Sequence, residues 1–454
     1  MKLDGVKLDE FDGISFDSRS GIGSELLTGG IGKAGDIKVT TGSLFVTNGA
    51  LISNNTDGRV NAGNITINAR ENVIFSGFGG TKPFNSEISS SVASNGFGNG
   101  GDISITAGEL LLKNGGTIRA INSGKGDGGN IFLDVGNTIT FDGVGKNGLL
   151  SRTETSRKNG NAGFIQVKTG SLFLTNGGQM NSSLFKQEDF DVSTNAGNIT
   201  IEALDTVKFD GVNSGLSCIL AGGIGKGGDI KITTTSLGVT NSADISVSTL
   251  GKGDAGNVRI KASDNISFDS GFVFSTVRKT GEGKGGVIDI NTDFLSLTNG
   301  TVIDTSTAGK GNTGSVNITA NTFTANKGSQ INSSTFGQFP AGDITFNVKD
   351  NITLSDSETG IFADTFASSK GKGGNIIIDP TTFIIRDGAE ISVNSNGEGI
   401  GGDVQLAAGF LTLDNGTISA QTRSNTGGNI TLNLQDVLLL RNNSQIVGCP
   451  TQRK

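Results

Sequence analysis

GNGGDISITAGELLLKNGGTIRA, Gly98–Ala120, decides how the chain is read, because its pattern recurs along the 454 residues. It returns as GKAGDIKVTTGSLFVTNGALIS at Gly32–Ser53 and as GNAGFIQVKTGSLFLTNGGQMN at Gly160–Asn181. Two more copies follow, GKGGDIKITTTSLGVTNSADIS at Gly225–Ser246 and GKGGVIDINTDFLSLTNGTVID at Gly283–Asp304. Length alone would suggest about three domains, but repetition at a fixed period signals stacked units and takes precedence.

The quoted module holds three runs of period-two alternation, ISIT, LLLK and TIRA, separated by Gly-rich and Asn-Gly pairs. This is the signature of strands joined by tight turns, and no helical period is present. Fourteen anchor glycines, from Gly35 to Gly428, each precede a first run. Two module types alternate. One puts apolar residues 9 and 11 places past the anchor, as in Leu110/Leu112 and Leu172/Leu174. The other puts them at 10 and 12, as in Ile139/Phe141 and Val207/Phe209.

If layers stack, these positions form a column running Phe16, Val46, Phe75, Leu112, Phe141, Leu174, Phe209, Val239, Phe268 and Leu297. A ring alternates with an aliphatic group, which fills a narrow interior without overpacking it. The third run gives a second column, Ile52, Ile118, Met180, Ile245, Ile303, Ile331 and Ile391. Three short strands cannot bury their faces alone, whereas stacked layers can. The predicted fold is all-β, a single-stranded right-handed parallel β-helix of about 14 coils of roughly 28–38 residues. At ~4.8 Å per coil its length is on the order of 65–70 Å. Residues 1–34 read as a partial repeat, 35–446 as the solenoid and 447–454 as a tail.

Composition excludes several chemistries. The chain has no His, so a His-dependent triad or zinc site is ruled out, and it has no Trp or Tyr. Its net charge of −7 argues against a general nucleic-acid binder. Cys218 and Cys449 lie many layers apart, too far for a disulfide. The N-terminus as written has no apolar signal-peptide core, and no apolar run is long enough to span a bilayer as a helix.

GKGDGG, GKGDAG, GEGKGG and GKGNTG match G-x-G-x-x-G, but they lead into strands, not helices, and so read as turns needing positive φ rather than phosphate cradles. Asp or Asn follows the anchor in 11 of 14 modules. A calcium ladder is one reading; side chains bonding their own turn or stacking on the next layer is the preferred one. Lysines in the same turns, such as Lys125, Lys252 and Lys310, read as solvated positions diluted by acidic neighbours. The recurring carboxylates Asp142, Asp210 and Asp269 fall on alternate coils and read as structural. No catalytic, cofactor or metal residue is assigned. The longer modules around SGFGGTKPFNSEISSS and SSLFKQEDFDVST carry insertions, where binding in a regular solenoid usually resides. Phe185, Lys186, Glu188, Asp189 and Phe190 form the binding candidate.

Modules of the form G-[DN]-I-x-[IV]…L-x-L-x-N-G-x-x-I-S resemble those of filamentous-haemagglutinin-type large exoproteins of the two-partner secretion pathway, and the GNIxIxAxxxIxFDG variant is similar to the cyanobacterial set. The resemblance covers about Gly13 to Gln445. It implies a right-handed β-helical rod passed through an outer-membrane transporter and secreted or held at the cell surface. The implied role is non-catalytic adhesion or aggregation, with a surface glycan or cell receptor as partner. End-to-end self-association through open sheet edges is a further expectation. The family's N-terminal export domain and its NPNG-type motifs are missing, which reads as a piece of a longer exoprotein, a truncated gene or an alternative start. A polysaccharide lyase or glycoside hydrolase on the same scaffold, and a stalk presenting a C-terminal effector, are the alternatives.

Overall fold

The computed structural model describes residues 1–454 apart from 12–13, 31, 33, 81–83, 144–148, 153–159, 186–193, 367–368, 424–426 and 449–454. Among the described residues every regular element is a strand. Parallel strands stack as a β-solenoid of about 14 turns, as the period-two alternation predicts. Contacts divide it into two units, Met1–Thr234 and Thr235–Lys454.

In the first unit, two of the expected strands run together. Ile103–Lys113 is one 11-residue strand, followed by a turn and the short strand Thr117–Arg119. The long strand pairs in parallel with Ile131–Asp142 on one side and with Ile65–Ala69 and Asn72–Ser76 on the other. Leu112 therefore lies between Phe75 and Phe141. The two module types now have a physical cause. Ala107 pairs with Val135 but Glu109 with Thr138, so the longer coil holds one more residue at a bulge. The bulge absorbs the extra residue and keeps the ladder in register on both sides. Short third strands such as Leu51–Ser53, Glu87–Ser89 and Thr117–Arg119 build a second parallel sheet.

The core lies between the sheets. Phe75, Leu112, Phe141, Leu174 and Phe209 in the first unit are fully buried, as are Val239, Phe268 and Leu297 in the second. The third-strand column from Ile52 to Ile391 is buried throughout. Where the ring alternation lapses, Leu297 meets Ala325, and the missing ring reappears two residues earlier as Phe323. Phe323 packs 5.2 Å from the ring of Phe346. Interior volume is kept while its position shifts.

The anchor glycines serve close approach rather than turn conformation. None of the fourteen has positive φ. A Cβ on Gly163 would lie 2.0 Å from the carbonyl oxygen of Gly129, one coil away. Positive φ belongs instead to the glycine three places earlier, as at Gly126 (+133°) and Gly311 (+140°). The expectation of left-handed turns in the G-x-G-x-x-G runs therefore holds for that glycine and not for the anchor.

The N-terminal segment corrects the sequence reading. Ile14–Arg19 pairs antiparallel with Val6–Phe11 and does not enter the solenoid column. Lys2–Asp4 takes that place, with Leu3 against Val46. The cause is local: Asp12-Gly13 sits between two alternating runs, the strongest short-range hairpin signal. Leu3, not Phe16, therefore begins the column, and residues 1–34 contribute a coil with an inserted hairpin.

Candidate functional site

The recurring polar residues stand at the corners of the coils, where the chain bends and a backbone N–H leaves the sheet. Where Asx follows the anchor, its side chain can accept the N–H of its counterpart one coil on. Asn64 N–H donates to Asp36 at 2.8 Å, Asp102 to Asn64 at 2.9 Å and Asn130 to Asp102 at 2.8 Å. In the second unit Asn375 donates to Asp343 at 2.8 Å and Asn429 to Asp403 at 2.9 Å. These side chains thus bond the next layer, and no cluster of three or more His, Cys, Asp or Glu placed to hold a metal ion occurs among the described residues.

A second ladder, missed in the sequence, lies two places before the anchor. Asn99 N–H donates to Asn61 at 2.9 Å, Asp127 to Asn99 at 3.0 Å and Asn161 to Asp127 at 2.7 Å. Its signal was present as the Asx of GNGG, GDGG and GNAG. A third ladder follows the third strand in the second unit. There Asp364 N–H donates to Ser334 Oγ at 3.1 Å, Asn394 to Asp364 at 2.6 Å and Gln421 to Asn394 at 2.6 Å. Each side-chain oxygen supplies the acceptor that the bent backbone no longer offers.

Between the first two ladders runs a trough. In the first unit it has a volume of about 830 Å³, with Asp36, Asn64 and Asp102 on one wall, Asn61, Asn99 and Asp127 on the other, and Ala62, Gly100 and Gly128 as floor. A shorter stretch of about 330 Å³ in the second unit is lined by Lys284, Asn312, Thr313, Pro340 and Asp343, among others. The turn carboxylates are also engaged: Asp142 accepts from Asn176 at 2.7 Å and Asp269 from Asn299 at 2.6 Å. Lys125 lies 4.8 Å over the Phe97 ring and Lys370 is 3.5 Å from Glu398.

The outer face of the third-strand sheet in the second unit gathers the perturbed carboxylates. Asp244, Phe272 and Val302 align across coils, as do Phe274, Asp304, Asn332 and Phe362. Phe272 and Phe274 stack with centroids 5.8 Å apart. Burial pushes the Asp244 carboxyl up to about 6, against the opposing charge of Arg278. Burial likewise raises Asp364 to about 6, opposed by the Ser392 hydroxyl and the Asn394 N–H and reinforced by Glu390. Asp304 and Glu390 are raised by the same cause.

A pH dependence follows. A carboxyl raised in the folded state holds a proton that the unfolded chain has lost, so these groups lower stability as pH rises from about 4 to about 6. Asp364→Asn keeps the ladder acceptor, as Asn394 does in the next coil. It is expected to stabilise the second unit at pH 7.5 by about 1–3 kcal/mol and to flatten that window in thermal melts. An unchanged or lower melting temperature at pH 7.5 would refute the assignment.

Of the sequence-predicted binding group, Phe185 is 36% exposed. Lys186, Glu188, Asp189 and Phe190 lie outside the described residues. The other insertion forms a small antiparallel pairing of Phe78–Gly79 with Phe84–Asn85 beside the coil. Cys218 is buried with a free thiol, and Cys449 lies outside the described residues. Compared with known protein families, curated proteins and solved structures, the chain matches none.

Proposed function

We propose that this chain is a non-catalytic solenoid acting by surface contact, in adhesion or aggregation, at the cell surface or in secreted form. The observation that carries this reading is the use of the polar residues: the repeated Asx and Ser side chains bond the next coil instead of converging on a reacting atom. Two of the carboxylates raised by burial are also set apart along the solenoid. Asp244 and Asp304 stand two coils and two residues apart, roughly 12 Å between Cα atoms by strand spacing. Export through an outer-membrane transporter of the two-partner type belongs to the same reading, which rests there on the sequence resemblance.

A second reading, a glycoside hydrolase or polysaccharide lyase, draws support from Asp304 and Asp364, whose raised carboxyls suit a general acid, and from Arg278 near Asp304. One experiment separates them: the purified chain is applied to a glycan array and to whole cells, beside an assay for released reducing ends and unsaturated sugars. Binding without turnover is expected. Turnover of any polysaccharide that Asp304→Asn abolishes would replace the adhesive reading with the enzymatic one.

A further inference from the structure

Three consecutive coils, ending at Gly314, Gly342 and Gly374, carry departures from the repeat. The column after the short bridges reads Arg278, Ala308, Phe336, Phe366 and Asn396, fixed by the bridges of Val277, Thr307, Thr335, Thr365 and Ser395. Phe336 and Phe366 are 46% and 40% exposed, and their rings stack in parallel with centroids 3.8 Å apart. Three residues before the anchor, where neighbouring coils keep Gly283, Gly311, Gly371 and Gly399, the coil ending at Gly342 carries Phe339, 43% exposed. One coil earlier, the trough floor takes Thr313 where others have Ala255, Gly285, Ala341 or Gly373.

The fold asks for none of these residues, since adjacent coils stack without them. Burying polar groups unsatisfied or exposing large rings costs stability, so a cluster of such departures points to binding. They also converge. Phe339 precedes Pro340, which lines the 330 Å³ trough of the second unit with Lys284, Asn312 and Asp343. The Thr313 Oγ1 in that trough is shielded from solvent and has no hydrogen-bond partner.

We propose that this trough, with the exposed rings of the coil that supplies Pro340, binds a neutral hexopyranose chain. Rings of Phe, the only aromatic side chain this protein has, suit the C–H face of a pyranose. Its hydroxyls match walls that offer an ammonium, an amide and a carboxylate. One cation and one anion on the walls favour an uncharged ligand over a polyanion. The inference rests on the adhesive reading for its biological use but not for its chemistry.

The test titrates the full chain with cellohexaose, mannohexaose and maltohexaose by calorimetry. The variants Phe336→Ala and Phe339→Gly place at each position a residue that other coils already carry, so folding should be kept, and melting temperatures check this. At least one hexaose is expected to bind, with affinity falling tenfold or more in Phe336→Ala/Phe339→Gly. Equal affinity in folded variants, or no binding of any hexaose, overturns the site. Cell adhesion that persists in the double variant also overturns it as the adhesive contact and leaves the adhesive reading standing. Hexaose binding in a chain that adheres to no cell supports the site and ends the adhesive reading instead.

Discussion

Gly163→Ala should destabilise the first unit by about 3 kcal/mol or more, a fall of about 10 °C in melting temperature. The added Cβ would sit 2.0 Å from the Gly129 carbonyl oxygen and 2.6 Å from its carbon. Both are backbone atoms of a stacked layer, and no side-chain rotation relieves the clash. The coils would have to separate locally, breaking the ladder at the Asx corner beside it, where Phe164 N–H donates to Asn130 at 3.1 Å. Gly136→Ala is the matched control. It has no positive φ, and its nearest neighbour to a Cβ is the Ala107 oxygen at 3.9 Å. That substitution should be neutral or stabilise by about 0.4–1 kcal/mol through a less flexible unfolded chain. Two equal Gly→Ala effects would mean that the anchor column is not held at contact distance.

This contrast marks how far the sequence could be read. Stacking, the inward columns and the parallel sheet were legible because burial imposes period two on Leu112, Phe141 and Ile118, and stacking repeats it. The bulge was visible only as an unexplained offset between modules, since bulges are defined by pairing across strands. The anchor glycines were legible as essential but for another reason, because contact with Gly129 is a property of two coils and not of one turn. The hairpin at Val6–Phe11 and Ile14–Arg19 was hidden by ISFD, which matches the repeat while its Asp-Gly neighbour dictates a different pairing. The exposed rings were hardest to see. Phe336 and Phe339 look like ordinary apolar residues until the register shows which columns they interrupt.

Phe141→Asp should cause a larger loss. Phe141 is fully buried between Leu112 and Leu174 in the ladder. Deleting a buried ring costs about 3–5 kcal/mol, and enclosing a carboxylate with no partner adds several more unless it stays protonated. The coils around it should therefore lose hydrogen-exchange protection at Leu112 and Leu174 at pH 7.5. Because a buried carboxyl is raised above its unfolded value, protection should partly return as pH falls below 5, the sign expected of desolvation alone. Phe141→Leu separates charge from shape: the column already accepts Leu at Leu112 and Leu174, so the cost is a cavity of about 1–2 kcal/mol with no pH dependence. If Phe141→Asp melts like the parent at pH 7.5, the side chain points to solvent and the alternating column does not hold the coils together.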